Sequence, residues 1–598
     1  MSALPPPGRR SPELLAIGLF FVLLAAIPLF TRSDFVLFIA TQLCVYFAVA
    51  LGLNFLAGFG GQTSIGHGAL VAVGAYVTAI GMVDHQWSFW AIFPVALVLT
   101  ATFGAVMAIP AFRVSTWYFA LITLAFAQVV NGLLIEWEFL TKGFAGIVGI
   151  PMPKVGTYVF TPRDLYWLVL AFCVGAFFVT RNLVRGRYGR ALLTMRDNPL
   201  AAVSSGVSLV WLKLFAFIYS ALLAGAAGAF YAVQRTVVTP EDFSGELSIF
   251  FLIVIVIGGM GRLYGALFGT LLFFMLPELM SSLQSWRLLI YGAILLILTL
   301  YVPDGMAGAV SKYWARRFGT GTPTRAGVAA QVPVVEGSSL SVRAVTKRFG
   351  GVAALQEVSL EVGAGTVHAI VGPNGSGKTT LLNMITRYYE ISEGEIRIDD
   401  RPLARQSSTA LARGGVRRTF QTPKLVPGLS VLENVMLGAY ASESASMVAV
   451  ALSLPSATRE RRERTAEAMN YLSFVGLDSR ADMPAGEVPH GQQRLAEIAR
   501  ALVGRPRLLL LDEPAAGLSM NELDGLCALI KSIASIGTTV VIVEHHLDLV
   551  ASLARDVTVL EQGKVLASGT PERVFKDPRV VAAYMGARAV NTEEAAHG

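Results

Sequence analysis

Three cysteines in 598 residues, Cys44, Cys173 and Cys527, lie far apart and without metal-like spacing, which argues against a disulfide framework and a cysteine-based zinc site. Charge is scarce too. Asp, Glu, Lys and Arg make up 15% of the chain against 54% apolar residues, outside the ordinary range of soluble proteins. The scarcity is uneven: apolar runs of spanning length are confined to roughly the first 300 residues, and the remainder has soluble composition. A length of 598 residues also exceeds what one core sustains, so two or three domains are expected. The net charge of +7 calls for no nucleic-acid partner. Its basic residues cluster beside apolar segments, as in Arg181, Arg185, Arg187, Arg190 and Arg196, where the positive-inside rule places cytoplasmic loops. The run Glu13 to Phe30 comes after Arg9-Arg10 as a signal peptide would. It lacks a small-x-small cleavage site and leads directly into further spans, so it reads as an uncleaved first helix.

What is present is membrane-spanning sequence and then a set of phosphate-handling motifs. Hydropathy windows predict spans near 13–31, 35–57, 64–83, 88–110, 115–137, 164–181, 211–234, 246–258, 262–280 and 286–303. That number puts both ends in the cytoplasm, with Arg113, the 181–213 loop and Lys312, Arg316 and Arg317 inside. Glycines crowd into 58–68 and 258–269. Two readings are open: close helix packing through small residues, or helix breaks lining a midplane pathway. Gln62, Ser64, His67, Gln128 and Asn131 divide the same way, between helix–helix hydrogen bonding and lining a path. Gly319 to Ser339 has linker chemistry. The expected division is a membrane domain at 1–318, a linker at 319–339 and a soluble α/β domain at 340–598.

Thr366 to Val371 is a short β-branched run that ends at Gly372, and Leu381 to Ile385 starts a helix. Between them stand Gly372, Pro373, Asn374, Gly375, Ser376, Gly377, Lys378, Thr379 and Thr380. Strand, glycine loop and helix are the context a P-loop needs. Glycines let backbone N–H groups curl around phosphates, and the helix N-terminus adds partial positive charge. Lys378 can reach the outer phosphates of ATP and Thr379 can ligate Mg2+. Leu508 to Leu511 reads as a buried strand ending in Asp512 and Glu513, suited to the metal and to polarising an attacking water. Another β-branched strand, Thr538 to Val543, precedes His545.

In this order the motifs resemble the ATP-binding-cassette (ABC) family over about residues 340 to 588. The resemblance implies an all-α polytopic membrane domain followed by an α/β P-loop cassette that hydrolyses ATP with Mg2+. It implies that Gln421 is the loop glutamine sensing the metal and the membrane domain, that His545 contacts the γ-phosphate, and that Phe349 stacks on adenine (the other reading of Phe349 being a core ring). Gly491 and Gln492 belong to the implied signature that faces a partner's ATP. Thr422-Pro423-Lys424-Leu425 and the tail from Asp577 to Gly586 resemble the ATPase of branched-chain amino acid importers. Gly58 to Tyr76, Phe119 to Leu124, Lys142 to Ile147 with Pro151, Gly189 to Asn198 and Ser220 to Gly228 resemble the permease of the same importers.

What this implies is a fused permease and ATPase that imports branched-chain or other hydrophobic amino acids across the bacterial inner membrane. Its implied partners are a second permease, a second ATPase and a periplasmic substrate-binding protein, with membrane lipid around the first half. Related importers carry urea, amides or aromatic and carboxylic acids; export, or a membrane ATPase that moves no solute, are the rival readings. The resemblance also makes Arg187 to Gly206 one cytoplasmic helix docking near Gln421. Two positions depart from the family pattern: Pro489 stands where the signature has serine, and Ser519 where many cassettes have aspartate.

Overall fold

The structure, a computed structural model, describes residues 12–114, 116–279, 286–318 and 332–584. It forms two compact units that do not follow a single cut in the sequence. The first comprises 12–197, 209–318 and Ser446–Ala457; the second comprises Asn198–Ser208, 332–445 and 458–584. The opening part of the expected linker, 319–331, lies outside the described residues.

The first unit is mostly helical, with two short antiparallel pairs of strands, Ile147–Val148 with Val237–Val238 and Lys154–Val155 with Tyr158–Val159. Its helices are α1 (Pro12–Phe30), α2 (Asp34–Leu53), α3 (His67–Val83), α4 (Phe89–Ala108), α5 (Thr116–Glu136), α6 (Pro162–Arg185), α7 (Arg187–Asp197), α8 (Leu209–Arg235), α9 (Gly245–Gly259), α10 (Gly265–Leu279), α11 (Arg287–Tyr301) and α12 (Gly305–Phe318). Every expected span coincides with one of these helices. Among the described residues six helices are long and apolar enough to cross a bilayer, with Asp34–Phe59 and Leu209–Arg235 among them, and Ile17–Phe30, His67–Val83 and Gly265–Phe274 are shorter apolar helices. Local chemistry sets the boundaries. Thr161 and Asp164 form a capping box at the start of α6, with Pro162 in its first turn.

Glycine contacts explain how α8 reaches the centre of the bundle. A methyl group on Gly74 of α3 would run into the backbone of Gly225, and one on Gly228 into the carbonyl of Val71. The 258–269 stretch is close packing as well: Gly258 lies against the Gly265 carbonyl and Gly269 against that of Val254, so α9 and α10 form a tight hairpin. The 58–68 stretch is different. A π-helical turn at Asn54–Phe59 gives way to non-helical backbone at 61–66 that is largely buried. Here the polar side chains join elements. His67 Nε2 and Ser220 Oγ lie 2.6 Å apart between α3 and α8, and Asn131 donates to the Pro240 carbonyl at 2.8 Å.

The segment 187–206 is two helices rather than one. Pro199 cannot continue α7, because it lacks an N–H and restricts Asn198, so the chain re-initiates as a short helix at Pro199–Ser204.

The second unit holds two sheets. Its strands are β1 (Leu340–Phe349), β2 (Val352–Val362), β3 (Val367–Val371), β4 (Glu393–Ile398), β5 (Arg401–Pro402), β6 (Val416–Arg418), β7 (Leu508–Asp512), β8 (Thr539–Val543), β9 (Asp556–Glu561) and β10 (Lys564–Gly569). One sheet has the order β2-β1-β4-β5 and is antiparallel; the other runs β6-β7-β8-β3-β9-β10 and is parallel except for its last strand. All five residues of β3, β7 and β8 are buried, as unbroken apolar runs in a parallel sheet should be. Register decides where the chemistry falls. Asp512 pairs with Val543, and Val543 with Ile370, so Asp512-Glu513, Glu544-His545 and Gly372 leave the sheet side by side at its carboxyl edge.

Candidate functional site

The loop after β3 curls through three left-handed glycines, Gly372, Gly375 and Gly377, with φ of 149°, 78° and 102°. Helix α13 (Lys378–Ile385) starts directly behind them. Asn374, Gly375 and Thr379 are exposed, Pro373 and Thr380 half-buried, and the Ser376 hydroxyl is buried without a partner among the described residues. Lys378 is only 5% exposed, and its ammonium donates to the carbonyls of Gly372 (2.8 Å) and Pro373 (2.9 Å). Burial pushes its pKa down, while Glu513 and Asp512 pull it back up.

Glu513 sits in left-handed backbone (φ 47°) immediately after β7, with its N–H on the Val543 carbonyl. Gln421 Nε2 donates to one carboxylate oxygen at 2.8 Å, and His545 Nε2 lies 2.9 Å from the other. Two residues far apart in sequence, Gln421 and His545, are thus held on one carboxylate. Asp512 Oδ2 takes a 2.8 Å bond from Arg418 Nη2, whereas its Oδ1 is buried and has no hydrogen-bond partner among the described residues. Asp512 lines a cavity of about 350 Å3 together with Thr379 and Gln421. A buried carboxylate oxygen beside a hydroxyl and an amide carbonyl is a donor set that fits Mg2+.

The remaining expected residues stand apart from this cluster. Phe349 ends β1, is 43% exposed and meets Tyr389 edge-on at 5.1 Å, so it is no core ring. Gly491 and Gln492 lie at the start of α14 (His490–Val503), Gly491 against Leu518 and Glu522. Pro489 caps that helix from outside and is exposed, as is His490. Ser519 has a structural use: with Glu522 it forms the capping box of helix Met520–Ser535.

Sequence reasoning missed the support beneath the site. Arg494, Glu497 and Arg500 succeed one another at three-residue steps on α14, all at most 3% exposed. Arg494 donates to the carbonyls of Gln421 (2.6 Å) and Glu513 (2.8 Å). Glu497 accepts from the N–H groups of Lys424 (2.9 Å) and Phe420 (3.2 Å), and Arg500 bridges Glu497 to the Lys424 carbonyl. Burial raises the Glu497 pKa, and Arg500 opposes the rise. The available signal was three charges at the spacing of one helix face, which reads equally well as a solvated stripe. The short helix at Pro199–Ser204 also belongs here: Arg417 donates to the Ser204 carbonyl at 2.9 Å, and Leu200, Val203 and Ser204 line the same cavity as Gln421.

Comparison with known proteins gives matches at both ends of the chain. Residues 35–299 match the family described as branched-chain amino acid transport system / permease component. Residues 355–516 match the ABC transporter family, and 564–590 the branched-chain amino acid ATP-binding cassette transporter family. The high-affinity branched-chain amino acid transport ATP-binding protein BraF of Pseudomonas aeruginosa is 40% identical over 248 residues, which is 41% of this chain and 97% of BraF. LivG of Escherichia coli, described in the same words, is 37% identical over equal shares. Among solved structures, a nucleotide-free ATP-binding cassette from an ABC transporter is 31% identical and is matched over 98% of its length and 41% of this chain, with a TM-score of 0.37.

Proposed function

This chain belongs to the branched-chain amino acid ABC transporters, and we propose that it is their importing form, a permease and an ATPase in one polypeptide of the bacterial inner membrane. Its cassette binds ATP and hydrolyses it in steps coupled to transport. On this reading 1–318 carries the solute, 319–339 is a linker and 340–598 is the cytoplasmic motor. The substrates are branched-chain or other hydrophobic amino acids, delivered by a periplasmic binding protein.

The observation that carries the reading is the Glu513 carboxylate, held between Gln421 and His545 at the edge of the sheet that also presents Lys378. Glu513 accepts the proton of the attacking water; Gln421 and His545 fix the carboxylate's direction. Lys378 supplies positive charge to the outer phosphates, and the loop N–H groups cradle them. Thr379, Asp512 through its unpartnered Oδ1, and Gln421 would hold Mg2+, which neutralises phosphate charge when bound. Phe349, exposed at the end of β1, takes the adenine face.

One chain offers one permease half and one cassette. The working assembly therefore pairs it with a second permease and a second cassette, Gly491 and Gln492 closing on the partner's ATP and the partner's own signature closing on the site at Lys378. The test is reconstitution into proteoliposomes, with ATP enclosed beside the cassettes and the binding protein on the other face. Labelled leucine accumulating against its gradient only with both supports import. Leucine moving from the cassette side to the binding-protein side would establish export, and ATP hydrolysis without solute movement a non-transporting ATPase.

A further inference from the structure

No charged residue occurs between Glu443 and Arg459, an interruption in an otherwise charge-rich half of the chain. This stretch is also the part of the later sequence that belongs to the first unit, as Ser446–Ala457. It forms a short helix at Met447–Ala451, capped by the Ser446 hydroxyl on the Ala449 N–H.

The segment packs on the final turns of α6. Asn182 Nδ2 donates to the Ala451 carbonyl at 2.8 Å, and Gly186 makes room for Val450, whose Cγ1 lies where a methyl on Gly186 would need to be. One face turns inward through Ala449. The other leaves Val448 63%, Leu452 57% and Leu454 42% exposed. These side chains continue an existing apolar stripe. On α6, Trp167 and Phe178 are 39% and 47% exposed, and the same helical face reaches Asn182 one turn after Phe178. Phe178 lies on the face a spanning helix turns to hydrocarbon, and Arg181 and Arg185 mark the end where anionic headgroups attract basic side chains. An uncharged apolar surface placed at that level is what a bilayer interface receives, and solvent would not.

We propose that Ser446–Ala457 is a membrane-interface element, with Val448, Leu452 and Leu454 seated in the headgroup and upper acyl region of the leaflet at the cytoplasmic end of α6. The proposal rests on the first unit being embedded in the bilayer, and one label is placed to report that separately.

The test is spin-label accessibility in the assembled transporter in lipid nanodiscs. Cys44 and Cys173 are buried and Cys527 is half-buried, so a Cys527→Ser background suits single labels. Labels go at Val448→Cys and Leu452→Cys, with Phe178→Cys as lipid reference and Val352→Cys, 69% exposed in the second unit, as water reference. The expected result is an oxygen-to-nickel-chelate accessibility ratio at 448 and 452 several-fold above that at 352 and close to that at 178. A ratio equal to that at 352 overturns the proposal in favour of solvent. Shielding from both reagents overturns it in favour of a protein partner. A water-like ratio at 178 would instead indict the membrane reading beneath it.

Discussion

Arg418 and Asp512 form an ion pair at 2.8 Å with side chains only 5% and 3% exposed, and Arg418 also donates to Asn383 Oδ1 at 2.5 Å. Arg418 thereby leaves one Asp512 oxygen uncommitted, in a residue that lines the same cavity as Thr379. Removing one partner of a buried pair strands the other charge, at about 3–5 kcal/mol. Arg418→Met is expected to cost the cassette that much in denaturant unfolding. Asp512→Asn should cost less, because the amide oxygen still accepts from Arg418, yet should abolish Mn2+ binding monitored by electron paramagnetic resonance. Retained Mn2+ affinity in Asp512→Asn would move the metal site elsewhere.

Arg196 Nη1 donates to the Gly58 carbonyl at 2.6 Å, and the Gly261 N–H goes to Asn54 Oδ1 at 2.9 Å, so the π-helical turn is tied both to α7 and to the α9–α10 hairpin. Residues Asn198–Ser208, which directly follow α7, belong to the second unit. A charge-assisted bond of this kind is worth about 1.5–3 kcal/mol. Arg196→Ala should therefore lower solute transport about ten-fold or more while basal ATP hydrolysis falls far less. Equal losses in both rates would make Arg196 a general structural residue.

Glu497 gathers two backbone N–H groups and Arg500, so Glu497→Ala is expected to lower stability by about 3–5 kcal/mol. Its pH dependence comes from burial. The folded pKa is raised above the unfolded value, so the folded state favours the neutral carboxyl, and the penalty of holding it charged is relieved as pH falls through the folded pKa. The stability of wild type relative to Glu497→Gln should therefore rise on acidification across that range. A relative stability that fell would assign the raised pKa to another group.

Pro489 lacks the hydroxyl and N–H that a serine there would offer to a partner's phosphate. A hydrogen bond is worth about 0.5–1.5 kcal/mol, or about 1.5–3 to a charged group. Pro489→Ser should then lower the ATP concentration for half-maximal activity roughly three-fold to a hundred-fold. An unchanged ATP dependence, with activity lost in His490→Ala, would give the role to the exposed histidine.

The spans were legible because an apolar run of spanning length has few alternatives to a helix, and the P-loop because strand, glycine loop and helix stand together in sequence. The meeting of Gln421, Glu513 and His545 was suggested only by resemblance, since it depends on the β7–β8–β3 register that no local pattern encodes. Arg494, Glu497 and Arg500 were illegible for the same reason: a buried charge and a solvated one look alike until the surface that covers them is known. The exchange of 198–208 and 446–457 between units was hidden as well. Pro199 marked a break in 187–206, but nothing local says which core a short apolar segment joins.

If the site around Lys378 and Glu513 drives movement of a hydrophobic amino acid, ATP hydrolysis and solute movement must fail together when it is damaged. Both are measured in the same proteoliposomes, as phosphate release and labelled leucine uptake, for wild type, Lys378→Ala and Glu513→Gln. Lys378→Ala should lose both activities. Glu513→Gln should keep ATP binding, seen with a fluorescent nucleotide, while hydrolysis and uptake fall together by about 100-fold or more. Wild-type uptake in either variant would sever this site from transport.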